Sequence, residues 1–338
     1  MWIASVWIRL RLQESPAFRR IKQAGRSSRA PLTEAFGNWG NLKWVLVALF
    51  GLVAGQAVVW YTGQYQALVF LTSQLKVDDT AASLLMAAAL AIGAPAFVAF
   101  GALSDRIGRK PIIVAGCVAA AVCYFPLFDA LTRAANPALA EAQARVPVTL
   151  SAGDCPLQLN PLADEAAGSG CDAARRVLVA RSVRYAQRDG AGPARVTVGA
   201  HSVEFARGAD EAPRRALHDA LDAAGYPREA DPARIDRPKV LGILVLLVLF
   251  AAMVYGPIAA ALVEMFPTRV RCSSVSLPYH IGNGWFGGLL PATSIAIGMH
   301  TGHMLDGLWY PVAVAATSAL IALLFVRETK DRDIYAGD

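Results

Sequence analysis

Charged residues are absent from long stretches of this 338-residue chain, although Asp, Glu, Lys and Arg make up 17% of it. The mean hydropathy of +0.40 is too high for a water-soluble globule of this size. Long windows without charge are typical of membrane spans rather than of a buried soluble core. The sequence therefore excludes an ordinary soluble domain and predicts a membrane protein.

The signatures of several enzyme classes are also missing. We find no Gly-rich phosphate loop ending in Lys-Ser or Lys-Thr, no nucleophile elbow and no paired metal ligands. The sequence therefore predicts neither an enzyme nor an ATP-driven pump, and it predicts no cofactor and no metal. The net charge of +6 lies in short clusters beside apolar runs, as on the cytoplasmic flanks of membrane helices. We therefore expect no nucleic-acid partner.

Six apolar runs are long enough to cross a bilayer, since a helix needs roughly twenty residues to do so. These runs are 44–72, 81–103, 111–132, 240–263, 273–298 and 308–326. Successive connections between the runs are alternately rich and poor in Lys and Arg, and the connections rich in them lie on the cytoplasmic side. The residues that set this orientation lie in segment 1–43 and at Arg106, Arg109, Lys110, Arg269, Arg271, Arg327, Lys330 and Arg332. Both termini and the 101–110 loop are thus predicted to be cytoplasmic.

The long hydrophilic segment 133–237 is then predicted to lie outside the membrane on the opposite face, since long segments translocate regardless of charge. Three alternating stretches, VPVTLSA, RRVLVARSVRYA and ARVTVGAHSVEFA, read as strands, and EAPRRALHDALDAAG reads as a helix. A small α+β domain is expected. Cys155 and Cys171 are predicted to pair, because an oxidising compartment permits a disulfide. His201 and His218 offer no ligand spacing for zinc.

The loop GALSDRIGRK (101–110) resembles the G-x-L-x-D-R-x-G-R-K signature of the major facilitator superfamily. LQESPAFRR (12–20) and RETKDRD (327–333) resemble the ends of the sixth and twelfth helices of that fold. VYGPIAAALVEMFPTRVRCSSVSLPYHIGNGWFGG (254–288) is similar to its metabolite–proton symporter branch. The resemblance implies helices seven to twelve of that fold, with the amino-terminal half missing.

The predicted fold class is accordingly an all-α membrane protein, a six-helix half of a major facilitator fold with an inserted small α+β extracytoplasmic domain. The expected parts are the end of a truncated helix with a cytoplasmic loop (1–43), three spans (44–132), a periplasmic domain (133–237), three spans (238–326) and a cytoplasmic tail (327–338). A surface-lying amphipathic helix is the alternative for the first residues.

By resemblance, the 101–110 loop is a conformational latch between two helical bundles. Asp105 can accept backbone N–H groups at a helix N-terminus, and the basic residues can pair with acids or lipid phosphates. The glycines permit close helix approach. The alternative is a simple positive-inside anchor. The predicted latch residues are Gly101, Asp105, Arg106, Gly108, Arg109 and Lys110.

His280 is the one plainly ionisable side chain deep in a predicted span, and such groups usually face a bundle interior. Its alternative role is a neutral, hydrogen-bonded packing residue. The candidate substrate-binding residues are Gln56, Trp60, Tyr61, Gln64, Tyr255, Tyr279, His280 and Asn283. Tyr255 also precedes Gly256 and Pro257, a candidate hinge, because proline removes a backbone donor.

The expected function is secondary transport of a small organic acid or zwitterionic metabolite with protons across the bacterial inner membrane. Its mechanism is the rocking of two bundles about a midplane site. The expected partners are the metabolite, protons, membrane lipids and the missing amino-terminal half. The alternative is a non-transporting membrane protein whose periplasmic domain binds a ligand or partner.

Overall fold

The computed structural model describes residues 30–153, 155, 169–190, 192–206 and 211–332, and the single residues 7, 19 and 23. Most of segment 1–29 and residues 333–338 therefore lie outside the described residues. The predicted end of a truncated helix falls almost wholly in that undescribed part.

In the described chain, five helical stretches are long and apolar enough to cross a membrane. They follow a short helix α1 (Pro31–Phe36) and are α2 (Trp39–Gln74), α3 (Asp79–Ile107), α4 (Arg109–Ala135), Arg237–Met265 and Met304–Phe325. Arg237–Met265 consists of α8 (Arg237–Tyr255) and α9 (Ile258–Met265), and the last stretch ends with α12 (Trp309–Phe325). These five stretches coincide with five of the six predicted spans.

The run 273–298 has a broken helical structure. Helix α10 (Arg271–Ile281) contains Pro278 and continues as a π-helical turn, Gly282–Gly287, before α11 (Leu290–Thr301) begins. A Cβ on Gly282 would lie 2.5 Å from Cγ1 of Val53, so the break coincides with a close approach to α2. This broken helix is not among the five described stretches that are long and apolar enough to cross a membrane, so a sixth crossing stays a prediction.

A four-stranded sheet lies between α4 and α8 in the sequence. Its strands are β1 (Val148–Ala152), β2 (Tyr185–Asp189), β3 (Ala194–Val198) and β4 (His201–Phe205). The order is β2-β1-β3-β4, with β1 parallel to β2 and the other pairs antiparallel. Helices α5 (Pro137–Arg145), α6 (Gly170–Ala180) and α7 (Glu211–Ala223) accompany it.

One sheet face is apolar because alternate side chains on a strand point the same way. Leu150, Val196 and Val198 are fully or almost fully buried, and α6 and α7 pack on these strands. The predicted strands in VPVTLSA and ARVTVGAHSVEFA and the predicted helix in EAPRRALHDALDAAG are all present.

The expectation of a strand in RRVLVARSVRYA is wrong for its first half. Residues up to Ala180 belong to α6, whose N-terminus is closed by a capping box between Ser169 and Asp172. Ala174, Val177 and Leu178 are buried along one helical face, so the helical period outweighs the apparent alternation. Only Tyr185 and Ala186 of that stretch belong to β2.

Hydrogen bonds to backbone carbonyls connect the sheet and its neighbouring segment to the ends of the long helices. The hydroxyl of Tyr185 donates to the carbonyl of Met299 at 2.5 Å, and its N–H donates to the carbonyl of Gly302 at 2.9 Å. Gly302 has φ +77, and a Cβ there would lie 2.2 Å from the carbonyl oxygen of Tyr185. The Asn136 amide donates to the carbonyl of Leu75 at 2.9 Å. The sheet therefore lies at the end of the bundle where α2 and α11 terminate.

Candidate functional site

At the opposite end, the predicted latch loop forms a charge network centred on Arg109. This side chain is 9% exposed, and its Nη2 lies 2.9 Å from Oε1 of Glu264. Its Nε donates to Oε2 of the same carboxylate at 3.3 Å. Such a bidentate pair compensates the lost hydration of a buried guanidinium far better than a single contact does.

Glu328 caps the N-terminus of α4. Its Oε1 accepts from the N–H of Arg109 at 2.9 Å, and its Oε2 accepts from the N–H of Lys110 at 3.1 Å. The N–H groups of Thr329 and Lys330 add two further hydrogen bonds. Burial raises the pKa of the Glu328 carboxyl, but these four backbone donors outweigh it, so the pKa lies below its ordinary value.

Gly108 is required for this cap. Its φ is +110, and a Cβ built on it would lie 2.4 Å from Oε2 of Glu328. An L side chain would therefore be strained and would also collide with the capping carboxylate. The break between α3 and α4 is thus built around a glycine and a distant acid.

Three further bonds join the network to its surroundings. The hydroxyl of Thr329 donates to Oε2 of Glu264 at 2.6 Å. The ammonium of Lys110 donates to the carbonyl of Leu323 at 2.9 Å, and that of Lys330 donates to the carbonyl of Arg106 at 2.9 Å. The loop, the end of α9 and the segment after α12 are therefore held as one unit.

Asp105 lies at the exposed edge of this network. It pairs with Nη1 of Arg109 at 2.6 Å, yet its side chain is 66% exposed. The adjacent helix N-terminus is capped by Glu328, so Asp105 makes no capping contact among the described residues. Its free side faces outward and is open to a second element.

Gly101 contributes a close helix crossing. A Cβ on Gly256 would lie 2.8 Å from the carbonyl of Phe97 and 3.0 Å from the N–H of Gly101. The pair lets α3 approach the turn that follows α8. That turn, at Gly256 and Pro257, separates α8 from α9 where the hinge was predicted.

Glu264 and Glu328 were not among the predicted site residues. Both stood in the quoted stretches that resemble the family, but they lie 155 and 219 residues from Arg109 in sequence. The available signal was chemical: a buried Arg must find acids, and these two lie at the predicted cytoplasmic ends of spans.

Four of the predicted substrate-binding residues form an aromatic cluster. The ring centroids of Trp60 and Tyr61 are 5.0 Å apart, and those of Trp60 and Tyr255 are 6.4 Å apart. The hydroxyls of Tyr255 and Tyr279 lie 3.1 Å from each other. This cluster presents aromatic faces from α2, α8 and α10 and the paired hydroxyls of Tyr255 and Tyr279.

The other four candidates lie outside this cluster. Asn283 donates to the carbonyl of Tyr279 at 2.9 Å. Gln56 is fully buried, and its amide has no hydrogen-bond partner among the described residues. Gln64 is half-buried. His280 is exposed on α10, beside Leu32 and Phe36 rather than toward the bundle interior.

Cys155 and Cys171 are joined by a disulfide with Cα atoms 5.5 Å apart. It closes a loop beside the N-terminus of α6. Among the described residues, no group of three or more His, Cys, Asp or Glu side chains could hold a metal ion.

Comparison with known proteins gives local matches. The family model of the Major Facilitator Superfamily matches residues 1–143 of this chain. A Haemophilus influenzae protein named as a metabolite transport protein is 40% identical over 80 residues, which is 24% of this chain and 17% of that protein. A second such protein is 35% identical over 95 residues, covering 28% of this chain and 21% of that protein.

The citrate-proton symporter of Salmonella typhi is 39% identical over 79 residues, covering 23% of this chain and 18% of that protein. Each match therefore spans about a fifth of the relative's length. No solved structure matches the chain.

Proposed function

We propose that this chain, whose residues 1–143 match the Major Facilitator Superfamily, forms the carboxy-terminal six-helix half of a proton-coupled symporter. Its substrate is a small organic acid or a zwitterionic metabolite. The protein lies in the bacterial inner membrane with both termini and the charge network in the cytoplasm. The sheet and its disulfide lie on the periplasmic side.

The observation that carries this proposal is the network of Arg109 with Glu264 and Glu328. A buried guanidinium with a bidentate acid and a carboxylate-capped helix is a rigid unit. Asp105, whose side chain is 66% exposed, projects from that unit. In alternating access, two bundles rock about a midplane site, and Asp105 is placed to meet a second bundle in one of the two states.

The aromatic cluster is the substrate-binding site in this proposal. Trp60, Tyr255 and Tyr279 come from three different elements that meet where α10 gives way to a π-helical turn. Interrupted helices commonly line transporter sites, since their backbone groups are free to bind polar ligands. Aromatic faces favour cations and hydroxyls bind carboxylates, which suits a zwitterion or an organic acid.

Reconstitution tests this proposal. The chain is placed in liposomes with a pH-sensitive dye inside, both alone and with the amino-terminal six-helix half of the Salmonella typhi symporter. Citrate added outside should acidify the interior in the paired sample. The intact Salmonella protein serves as the positive control. If that control responds and the paired sample moves no protons with citrate or with a panel of small carboxylates and zwitterions, the proposal is wrong.

A second candidate function rests on the α/β part. Its own buried sheet face and its disulfide are the features of an extracytoplasmic domain that binds a ligand or partner without transport. Ligand binding that persists while proton movement is absent would favour this alternative.

A further inference from the structure

A cavity of about 730 Å³ lies beside the charge network, bounded by the first turns of α2, the connection 266–270 and the segment 327–332. Its volume suits a small organic molecule. The described residues around it are of mixed character, with apolar side chains at Trp44, Phe266 and Val270 and guanidinium groups at Arg327 and Arg332.

A buried hydroxyl in this cavity lacks a partner among the described residues. Ser274 is 0% exposed and lines the cavity, and its Oγ makes no hydrogen bond to any described residue. A buried polar group without a hydrogen bond is destabilising unless something occupies the site. The cavity therefore already holds one donor that is ready for a ligand oxygen.

The two guanidinium groups are available as well. Arg327 is exposed and has no ion pair or hydrogen bond among the described residues. Within the described chain, Arg332 forms a hydrogen bond only through Nη1, which donates to the carbonyl of Met265 at 3.1 Å, so its other N–H groups have no described partner. The neighbouring carboxylate of Glu328 is saturated by backbone donors and competes little for either Arg.

We propose that this cavity binds a phosphate-bearing anion, with Arg327, Arg332 and Ser274 holding the phosphate oxygens. Guanidinium groups match phosphate with paired hydrogen bonds. The apolar wall accommodates an attached organic group. Asp331 also lines the cavity, so a ligand that carries an ammonium group beside its phosphate fits the charges best. The phosphate comes either from a lipid headgroup or from a soluble metabolite.

The position links this site to the latch. Thr329, which lines the cavity, donates to Glu264, and Glu328 caps α4. A bound phosphate would hold the segment 327–332 in place and with it the acids around Arg109. Binding is measured here without transport, so its outcome is independent of the proposed symport.

The test is native mass spectrometry and equilibrium binding of the full chain, with short-chain phosphatidylethanolamine, glycerol 3-phosphate and inorganic phosphate as probes. Arg327→Gln removes a charge that makes no ion pair or hydrogen bond with the described residues, so it should weaken binding at least tenfold without loss of folded protein. Arg133→Gln is the matched control, because Arg133 is exposed at the other end of α4.

Ser274→Ala provides a second, opposite signature. It should raise the melting temperature of the ligand-free protein, since an unpaired buried hydroxyl is removed, while it weakens binding severalfold. Loss of lipid binding alone in Arg327→Gln assigns the site to a headgroup, and loss of glycerol 3-phosphate binding assigns it to a soluble phosphate. Equal binding of every probe by wild type, Arg327→Gln and Ser274→Ala would overturn the proposal.

Discussion

A guanidinium as buried as that of Arg109 has lost most of its hydration, and the carboxylate of Glu264 replaces it with two hydrogen bonds. The same side chain also pairs with Asp105, but that acid is largely exposed. The two acids therefore contribute unequally, although both are within ion-pair distance. Removing a partner from a buried pair is severe, and removing one from an exposed pair is mild.

Glu264→Gln should accordingly lower the free energy of unfolding by about 3–5 kcal/mol, since it leaves the buried guanidinium with only the exposed Asp105 as a counter-ion. Asp105→Asn, its matched control, should lower it by about 0.3–0.5 kcal/mol. Unfolding in detergent, followed by circular dichroism, checks both. Equal losses for the two variants would mean that Glu264 does not hold Arg109.

Gly108→Ala should destabilise the protein by about 1–3 kcal/mol, because a Cβ at positive φ is strained and meets Glu328. Gly242→Ala is the matched control. Gly242 lies within α8 and a Cβ there meets nothing within 4 Å, so alanine should stabilise by about 0.5–1 kcal/mol. Melting temperatures that fall together for both variants would remove the special role of Gly108.

Among the elements, α6 and α7 are joined by a cluster of opposite charges. Asp222 lies 2.6 Å from Nη2 of Arg181 and 2.5 Å from Nη2 of Arg228. Hydrogen bonds from Arg228 and then from Arg181 lower the pKa of Asp222 from 3.8 to about 2. The nearby His218 imidazole has a lowered pKa, and burial is the largest cause.

The pH dependence follows from the lowered pKa of Asp222. Its contribution to stability is fully present above pH 3.8 and is lost as the pH falls toward about 2. Because a third of this side chain is exposed, we expect a loss of about 1 kcal/mol. Asp222→Asn should abolish this part of the acid-induced loss, measured by unfolding between pH 5 and pH 2.

Asp219→Asn is the control on the same helix, since Asp219 is exposed and has no ion pair in the described structure. Its pH profile should match that of the wild type. An unchanged profile in Asp222→Asn would assign the acid sensitivity to other groups.

Local pattern predicted much of the element structure. Alternation over β3 and β4, apolar length over α2 to α4 and the helical period over α7 all depend on neighbours in sequence. The prediction of a strand over residues 175–180 is wrong, because a capping box at Ser169 and one buried helical face favour a helix there. The contacts of Arg109 with Glu264 and Glu328, which are 155 and 219 residues away in sequence, depend on tertiary packing. No local sequence pattern contains that information.

The same limit applies to the candidate site. Aromatic and hydroxyl types in apolar runs pointed to Trp60, Tyr61, Tyr255 and Tyr279, and the structure places these four together. The isolation of His280 in an apolar run predicts a site residue, yet the direction it faces depends on the break at Gly282. A rotation of one helix by a few residues, set by π-helical turns, is not visible in the sequence.

Considered as a whole, the molecule has two unlike ends. Arg109, Glu264 and the segment after α12 occupy one end, and the sheet with its disulfide occupies the other. Long helices connect them, and α3 leaves apolar side chains such as Leu84, Ile92 and Val98 exposed, as lipid or a second bundle would require. The central claim is that the membrane lies between these two ends.

Cysteine labelling tests this claim most directly, because the chain carries a suitable thiol or disulfide at each end. Cys272 is exposed in the first turn of α10, whereas Cys155 and Cys171 are paired near α6. Intact cells are treated with a membrane-impermeant maleimide, before and after mild reduction, and labelled peptides are identified by mass spectrometry. We predict labelling of Cys155 and Cys171 only after reduction, and of Cys272 only after permeabilisation. Labelling of Cys272 in intact cells, with Cys155 and Cys171 protected, would contradict the account.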